Sequence, residues 1–279
     1  MASTRPRPAV FRALGRQDPP RRVLVGGTWY EMLDCLKHDS WAATALYENP
    51  AKEVVVCKFN RQQRVGPIPM KWLGRRLARR EQGLMELLED VPHVARSCGP
   101  IAAEDASGAS KTLDYAVGHT YVTGRPLKPG QRVDDLFFER LRATLKALHA
   151  RGVAYVDLHK AENVIVADDG SPCLIDYQVC FWPQGIAGRL WPVRWILGVF
   201  QRMDDYHLMK HIIRCRPDLL PPDQRDIRMH RPAWIRAWRK FATPLRTARR
   251  RLLVLIGVRA KGGKASTERH AEEAYREPG

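Results

Sequence analysis

The stretch Tyr155–Val179, YVDLHKAENVIVADDGSPCLIDYQV, decides the fold, because it strings two carboxylates and an amide along a strand-loop-strand pattern. Asp157 opens the loop, Asn163 closes it, and Asp176 follows a second apolar run, Cys173 to Ile175. Mg²⁺ takes hard oxygen ligands and usually binds through one or two carboxylates plus substrate phosphates. Asp176 and Asn163 have the chemistry for that role, which leaves Asp157 to orient and deprotonate an incoming hydroxyl. The pattern therefore predicts a metal-nucleotide phosphoryl-transfer site.

Working outward, 279 residues and 31.9 kDa suffice for one large domain or two lobes sharing a cleft. The six cysteines (Cys35, Cys57, Cys98, Cys173, Cys180, Cys215) contain no C-x-x-C pair, which predicts reduced thiols in a cytoplasmic protein. The start, MASTRPRPAVFRALGRQDPPRR, has no apolar core of signal-peptide length, and the longest later run, Leu252 to Val258, is far too short to span a bilayer. A net charge of +17 predicts attraction to something anionic: nucleic acid, acidic lipid or a phosphorylated sugar. Taken singly, basic runs such as Arg75–Arg80 and Arg246–Arg251 also read as solvated faces. Nucleic acid is not expected as the main partner, since neither zinc-spaced cysteines nor a reader motif accompanies the charge.

Residues 1–22, rich in Pro and Arg, and the tail 259–279 read as unstructured. Strands are predicted at Tyr30–Leu36, Ala43–Asn49 and Glu53–Phe59, with Asn49-Pro50 as a turn and Gly26-Gly27 as a turn before the first of them. A helix follows from about Met70 to Leu88, then strand-like runs at Val94–Cys98 and Leu113–Val122. Asp134–Ala150 reads as an amphipathic helix with Gly152 just past its end, short strands follow at Asn163–Val166 and Cys173–Ile175, and the remainder reads as helical. The class is α+β: a sheet-rich lobe over 23–122, with one helix, and a larger, mainly helical lobe over 123–258 that ends in a basic segment.

Lys58 sits at the end of the apolar strand Val54–Phe59, and a lysine is rarely buried unless paired. On the helix that follows, Glu81 lies at the margin of the Leu73, Leu77, Leu84 and Leu88 face, while Glu86 points away, so Glu81 is the candidate partner. The alternative is a strand-edge lysine with a buried stem and a solvated amine.

LHARGVAYVDLHKAENVIV, from Leu148, resembles the catalytic loop of the protein kinase-like phosphotransferase superfamily, with LIDYQV in the place of the D-F-G segment. The resemblance, from about Tyr30 to Cys215, is to atypical members of the kind seen in bacterial RIO and lipopolysaccharide kinases. It implies a two-lobed fold, ATP and Mg²⁺ or Mn²⁺ as cofactors, Asp157 as catalytic base, Asn163 and Asp176 as metal ligands, and Lys58 as the α/β-phosphate contact paired to Glu81. It also implies that backbone groups of His119 to Val122, Tyr121 among them, meet the adenine. An aspartate of the pair Asp204-Asp205 should hold the catalytic-loop backbone, with Asp205 favoured; a plain helix N-cap is the other reading.

The departures are informative. Tyr155-Val156 replaces the His-Arg of H-R-D, which argues against activation through a phosphorylated segment docking on that arginine. The Asn follows the Asp by 163 − 157 = 6 residues rather than five, so one residue is inserted before Asn163. Tyr177 and Gln178 replace the Phe and Gly of D-F-G. The phosphate-covering loop reads KHDSWAAT (Lys37–Thr44) without glycine, so close backbone approach falls to the small residues Ser40, Ala42 and Ala43. His159 and Lys160 either steady the transferred phosphoryl group or face solvent.

Trp182, Trp191 and Trp195, with Arg189 and Arg194, form either a membrane-facing or substrate-facing surface or part of the core, and the helical spacing of Val193, Leu197 and Phe200 favours the core. Arg246–Lys264 reads as an arginine-flanked interfacial helix, hence a cytoplasmic protein with peripheral contact at the inner membrane face. The functional expectations are then an atypical Ser/Thr protein kinase, a lipopolysaccharide-core or other glycolipid sugar kinase, or a catalytically weak pseudokinase used as a binding module.

Overall fold

The computed structural model describes residues 8–104 and 108–230. Trp234, Trp238, Phe241, the basic segment Arg246–Lys264 and the expected tail lie outside the described residues. Among the described residues the chain divides into two compact units: residues up to Arg79 with Cys98–His119, and Arg80–Ser97 with residues 120–230.

The first unit is built on a seven-stranded sheet. Its strands are β1 (Arg22–Val25), β2 (Thr28–His38), β3 (Ala42–Glu48), β4 (Val54–Asn60), β5 (Ile101–Glu104), β6 (Ser110–Thr112) and β7 (Ala116–Thr120), in the order β6-β5-β1-β2-β3-β4-β7. Gly26 and Gly27, both at positive φ (56° and 81°), form a two-residue hairpin between β1 and β2, which only residues tolerant of left-handed backbone adopt cheaply. The expected turn is thus real, but a strand precedes it. Between β3 and β4 the Asn49 side chain accepts the Glu53 N–H at 2.9 Å and donates to the Glu53 carboxylate at 2.7 Å, closing the turn. Alternation places Ala43, Ala45 and Tyr47 of β3 and Val55, Cys57 and Phe59 of β4 in one core with Val23, Val25, Tyr30 and Ile101.

The sheet is larger than the small one expected: it adds β1, β5 and β6, which are too short to show an alternation in the sequence, β6 being fully exposed and polar. Residues 8–22, read as unstructured on composition, are ordered against the sheet. Ala13 is fully buried, donates its N–H to the Asp39 carbonyl (2.7 Å) and accepts the N–H groups of Gln62 and Gln63 (2.8 and 2.9 Å). The Arg61 side chain, also buried, donates to the carbonyls of Val10 (2.8 Å) and Ser40. Satisfied backbone groups hold this segment down where hydrophobic content would not.

Helix α1 (Lys71–Leu87) carries a buried stripe, Gly74, Ala78, Glu81 and Met85, continued just past its end by Leu88, at alternating spacings of four and three. In the second unit, Val94 makes a single bridge to Leu174 in place of the strand expected at Val94–Cys98. A three-stranded antiparallel sheet, ordered β10-β9-β8, is formed by β8 (Gly124–Pro126), β9 (Val164–Ala167) and β10 (Pro172–Leu174). Helix α2 (Phe137–Ala150) buries Phe137, Phe138, Leu141, Thr144, Leu145 and Leu148, and ends before Gly152 at φ 72°. Helix α3 (Trp191–Cys215) follows. The molecule is therefore mixed α and β, with a large antiparallel sheet and three α-helices among the described residues. None of these is long and apolar enough to cross a membrane.

Candidate functional site

The loop between α2 and β9 is two successive 3-10 turns, Asp157–His159 and Ala161–Asn163, joined by an extended Lys160. The first turn brings Lys160 back over Asp157, and the second brings Asn163 to it. Asp157 is buried. One of its carboxylate oxygens accepts from Lys160 Nζ at 2.7 Å and from Asn163 Nδ2 at 3.1 Å, while the other lies 3.3 Å from His159 Nδ1. Because the Asn163 amide nitrogen is turned to Asp157, its oxygen is the atom a hard cation would take. His159 and Lys160 are 45% and 41% exposed, so each both faces solvent and touches the carboxylate.

The loop is fastened from below. Asp204, fully buried on α3, accepts the N–H of Tyr155 at 2.7 Å and that of Val156 at 2.8 Å, and meets His149 Nε2 of α2 at 3.1 Å. His211 Nε2 lies 2.6 Å from the Leu158 carbonyl. Asp204, rather than the expected Asp205, holds the backbone. The helix phase explains the correction: Asp204, Leu208, His211, Ile212 and Cys215 form the buried face of α3, whereas Asp205 is exposed. That periodicity was present in the sequence and would have identified Asp204 and His211.

The segment after β10 is tied to the loop. The Asn163 carbonyl accepts the Ile175 N–H at 3.1 Å, and the Tyr155 hydroxyl donates to the Ile175 carbonyl. Asp176 follows at φ 63°, a left-handed conformation that aspartate tolerates better than most residues. Burial pushes the Cys180 thiol well above its ordinary range, and the charges of Asp176, Asp204 and Glu81 push it further. Tyr177 is buried; its hydroxyl donates to the Leu174 carbonyl at 2.7 Å and accepts the Ala95 N–H at 2.9 Å. Tyr155 and Tyr177, which the sequence marks only as departures, thus carry the polar links of the site, with rings packed edge-on at 6.2 Å.

The remaining expected residues fall as follows. Lys58, half-buried, pairs in register with Thr44 and alternates with Cys57 and Phe59, so it lies on the sheet face opposite the core of the first unit. Glu81, expected at the margin of its helix face, lies within the buried stripe. Ser40 belongs to the tight turn between β2 and β3, and its hydroxyl donates to the Phe11 carbonyl at 3.1 Å. In the same turn Asp39 accepts the N–H groups of Trp41 and Ala42 at 2.7 and 3.0 Å. Burial acts to raise the Asp39 carboxyl, but Lys37 and these hydrogen bonds outweigh it and hold the group below its ordinary value. A phosphate at this turn would compete with an anionic Asp39 for the same donors. His119 lies in β7, and Tyr121 and Val122 follow it before β8; burial, then Asp168, raises the Tyr121 hydroxyl.

Among the described residues there is no group of three or more His, Cys, Asp or Glu side chains arranged to hold a metal. One carboxylate and one amide, Asp176 and Asn163, suit an ion held largely by phosphates rather than by an all-protein cage. No protein-family model matches the chain, and no curated protein matches it.

Proposed function

We propose that the chain is an ATP-dependent phosphotransferase with a divergent, two-lobed protein kinase-like fold, moving the γ-phosphoryl group to a hydroxyl acceptor, a protein Ser or Thr foremost. The observation that supports this best is the Asp157 carboxylate, buried and bonded by Lys160 and Asn163, on a loop whose backbone is fixed by Asp204 and His211. Phosphoryl transfer asks a protein mainly for positioning and charge stabilisation, and a loop fixed in this way supplies positioning.

On this reading Asp157 orients the acceptor hydroxyl and takes its proton as the oxygen attacks the γ-phosphorus, and ADP leaves. Lys160 places positive charge beside that carboxylate, and Lys58 and Glu81 serve phosphate binding. Asn163 and Asp176 would hold Mg²⁺ or Mn²⁺, which neutralises charge on the phosphates. A second reading, with a glycolipid sugar hydroxyl as acceptor, is favoured by the exposed aromatic and arginine surface at the start of α3.

The test is phosphotransfer from labelled ATP, with Mg²⁺ or Mn²⁺, to cell-envelope glycolipid and to protein fractions. Wild type should label one of them, and Asp157→Asn and Lys58→Met proteins should not. Variants that consume ATP like wild type would refute the assignment, and absence of Mg²⁺-dependent nucleotide binding in a thermal-shift titration would leave a pseudokinase.

A further inference from the structure

The first turns of α3 are apolar on two sides. One side is covered: Phe200 packs edge-on against Phe181 with ring centroids 5.1 Å apart, and Gln201 donates to the His149 carbonyl at 3.1 Å. The other is not. Trp191 is 79% exposed and Trp195 64% exposed, one helical turn apart, and Ile186 and Leu190 just before them are 81% and 53% exposed. Phe200 is half-buried, and the core reading that the sequence favours does not hold for these two tryptophans. Further along α3 the exposed positions are polar, as Asp205 and Arg214 show, so the uncovered apolar surface is confined to the start of the helix.

Charge singles out the same place. From Tyr177 to Met203 the chain has three arginines, Arg189, Arg194 and Arg202, all exposed, and neither aspartate nor glutamate. Arg202 Nη1 reaches back one turn along the helix, to within 3.6 Å of where a side chain on Gly198 would begin. Tryptophan favours the headgroup level of a bilayer, where its ring is apolar and its N–H is wet, and arginines beside it match anionic headgroups.

We infer that the surface formed by Ile186, Leu190, Trp191 and Trp195, ringed by Arg189, Arg194 and Arg202, docks the protein on an anionic phospholipid bilayer, with the start of α3 lying at the interface. The surface is separate in sequence from the basic segment Arg246–Lys264, and the inference does not depend on phosphotransfer.

The experiment is co-sedimentation of the full chain with vesicles of phosphatidylcholine alone or mixed with phosphatidylglycerol. The mixed vesicles should bind the protein and the neutral ones should bind it far less. Trp191→Ser/Trp195→Ser and Arg189→Glu/Arg194→Glu proteins should each lose binding to the mixed vesicles, the second by at least about fivefold per arginine, while Trp41→Ser, a similarly exposed tryptophan elsewhere, should bind like wild type. Hydrogen exchange on the unmodified protein gives a readout independent of variant folding: mixed vesicles should protect residues 186–196. Failure of wild type to bind, binding of both double variants at the wild-type level (binding then resting on the basic segment), or protection of 186–196 that rises with protein concentration without vesicles (a second copy covering the face) would each overturn the inference.

Discussion

Asp204 holds Val156 in a conformation that valine avoids: its carboxylate accepts the Val156 N–H at 2.8 Å while Val156 stands at φ 67°. Left-handed backbone at a β-branched residue costs about 1–3 kcal/mol and persists only where its surroundings over-determine it. Here the same carboxylate also accepts the Tyr155 N–H and meets His149. Since Val156 directly precedes Asp157, the strain sits at the point where the candidate base is aimed.

Replacing Asp204 by Ala should therefore destabilise the protein by about 3–5 kcal/mol, because two N–H groups and a histidine lose a buried partner together. Asp205→Ala, at an exposed position one residue on, should change stability by less than about 0.5 kcal/mol. Urea unfolding of the two variants separates them; equal effects would remove Asp204 from its role.

If the proposed phosphotransfer is right, Asp157→Asn should lower it by about 10²–10⁴-fold, the range expected of a lost general base, with little change in secondary structure. The measurement is initial-rate transfer from labelled ATP to the acceptor found in the screen, with circular dichroism as the control on folding.

Tyr177→Phe should destabilise. The buried Ala95 N–H loses its acceptor, at a cost of about 1–3 kcal/mol by denaturant unfolding. A neutral effect would mean that the phenol is dispensable and that its two hydrogen bonds carry no structural role.

Gly74→Ala reverses the usual helix rule. Alanine normally stabilises a helix by about 1 kcal/mol over glycine, yet a Cβ on Gly74 would stand 2.3 Å from the Arg61 carbonyl oxygen. Since that atom is backbone, α1 or the end of β4 must shift, and the melting temperature should fall rather than rise.

Acid should weaken the fold through His207. Burial, then the charges of His159, Lys210 and His211, push it from its ordinary 6.5 down to about 3, and its buried Nδ1 has no hydrogen-bond partner. Between those values the unfolded chain binds the proton and the folded chain does not. The stabilisation is thus fully present above pH 6.5 and lost as pH falls toward 3, by at most about 1.4 kcal/mol per pH unit. His211, lowered mainly by burial, acts in the same direction. Comparing urea unfolding at neutral and mildly acid pH, His207→Gln should flatten the wild-type decline, and an unchanged slope would contradict the assignment.

Much of the architecture was legible because it is written in local periodicity. The alternation of β3 and β4, the leucine face of α2 and Gly152 beyond its end follow from side-chain spacing, and each formed where it was expected. The strands β1, β5 and β6 were not legible, since three or four residues give too short a pattern and their pairing is chosen by distant partners. Composition also misled at residues 8–22, where polar chain is held by hydrogen bonds to the turn at Asp39 and to the end of β4.

Of the candidate site, the sequence by itself determined which groups are available: Asp157, Lys160, Asn163 and Asp176 in that order. Tertiary structure decided what holds them. Asp204 rather than Asp205 fastens the loop, Tyr177 joins the segment around Asp176 to Ala95, and Trp191 and Trp195 face outward instead of joining the core. The reason is physical: a spacing rule specifies which side of a helix or strand a residue occupies, but only the packing of elements far apart in sequence specifies which side is covered and which donor meets which acceptor.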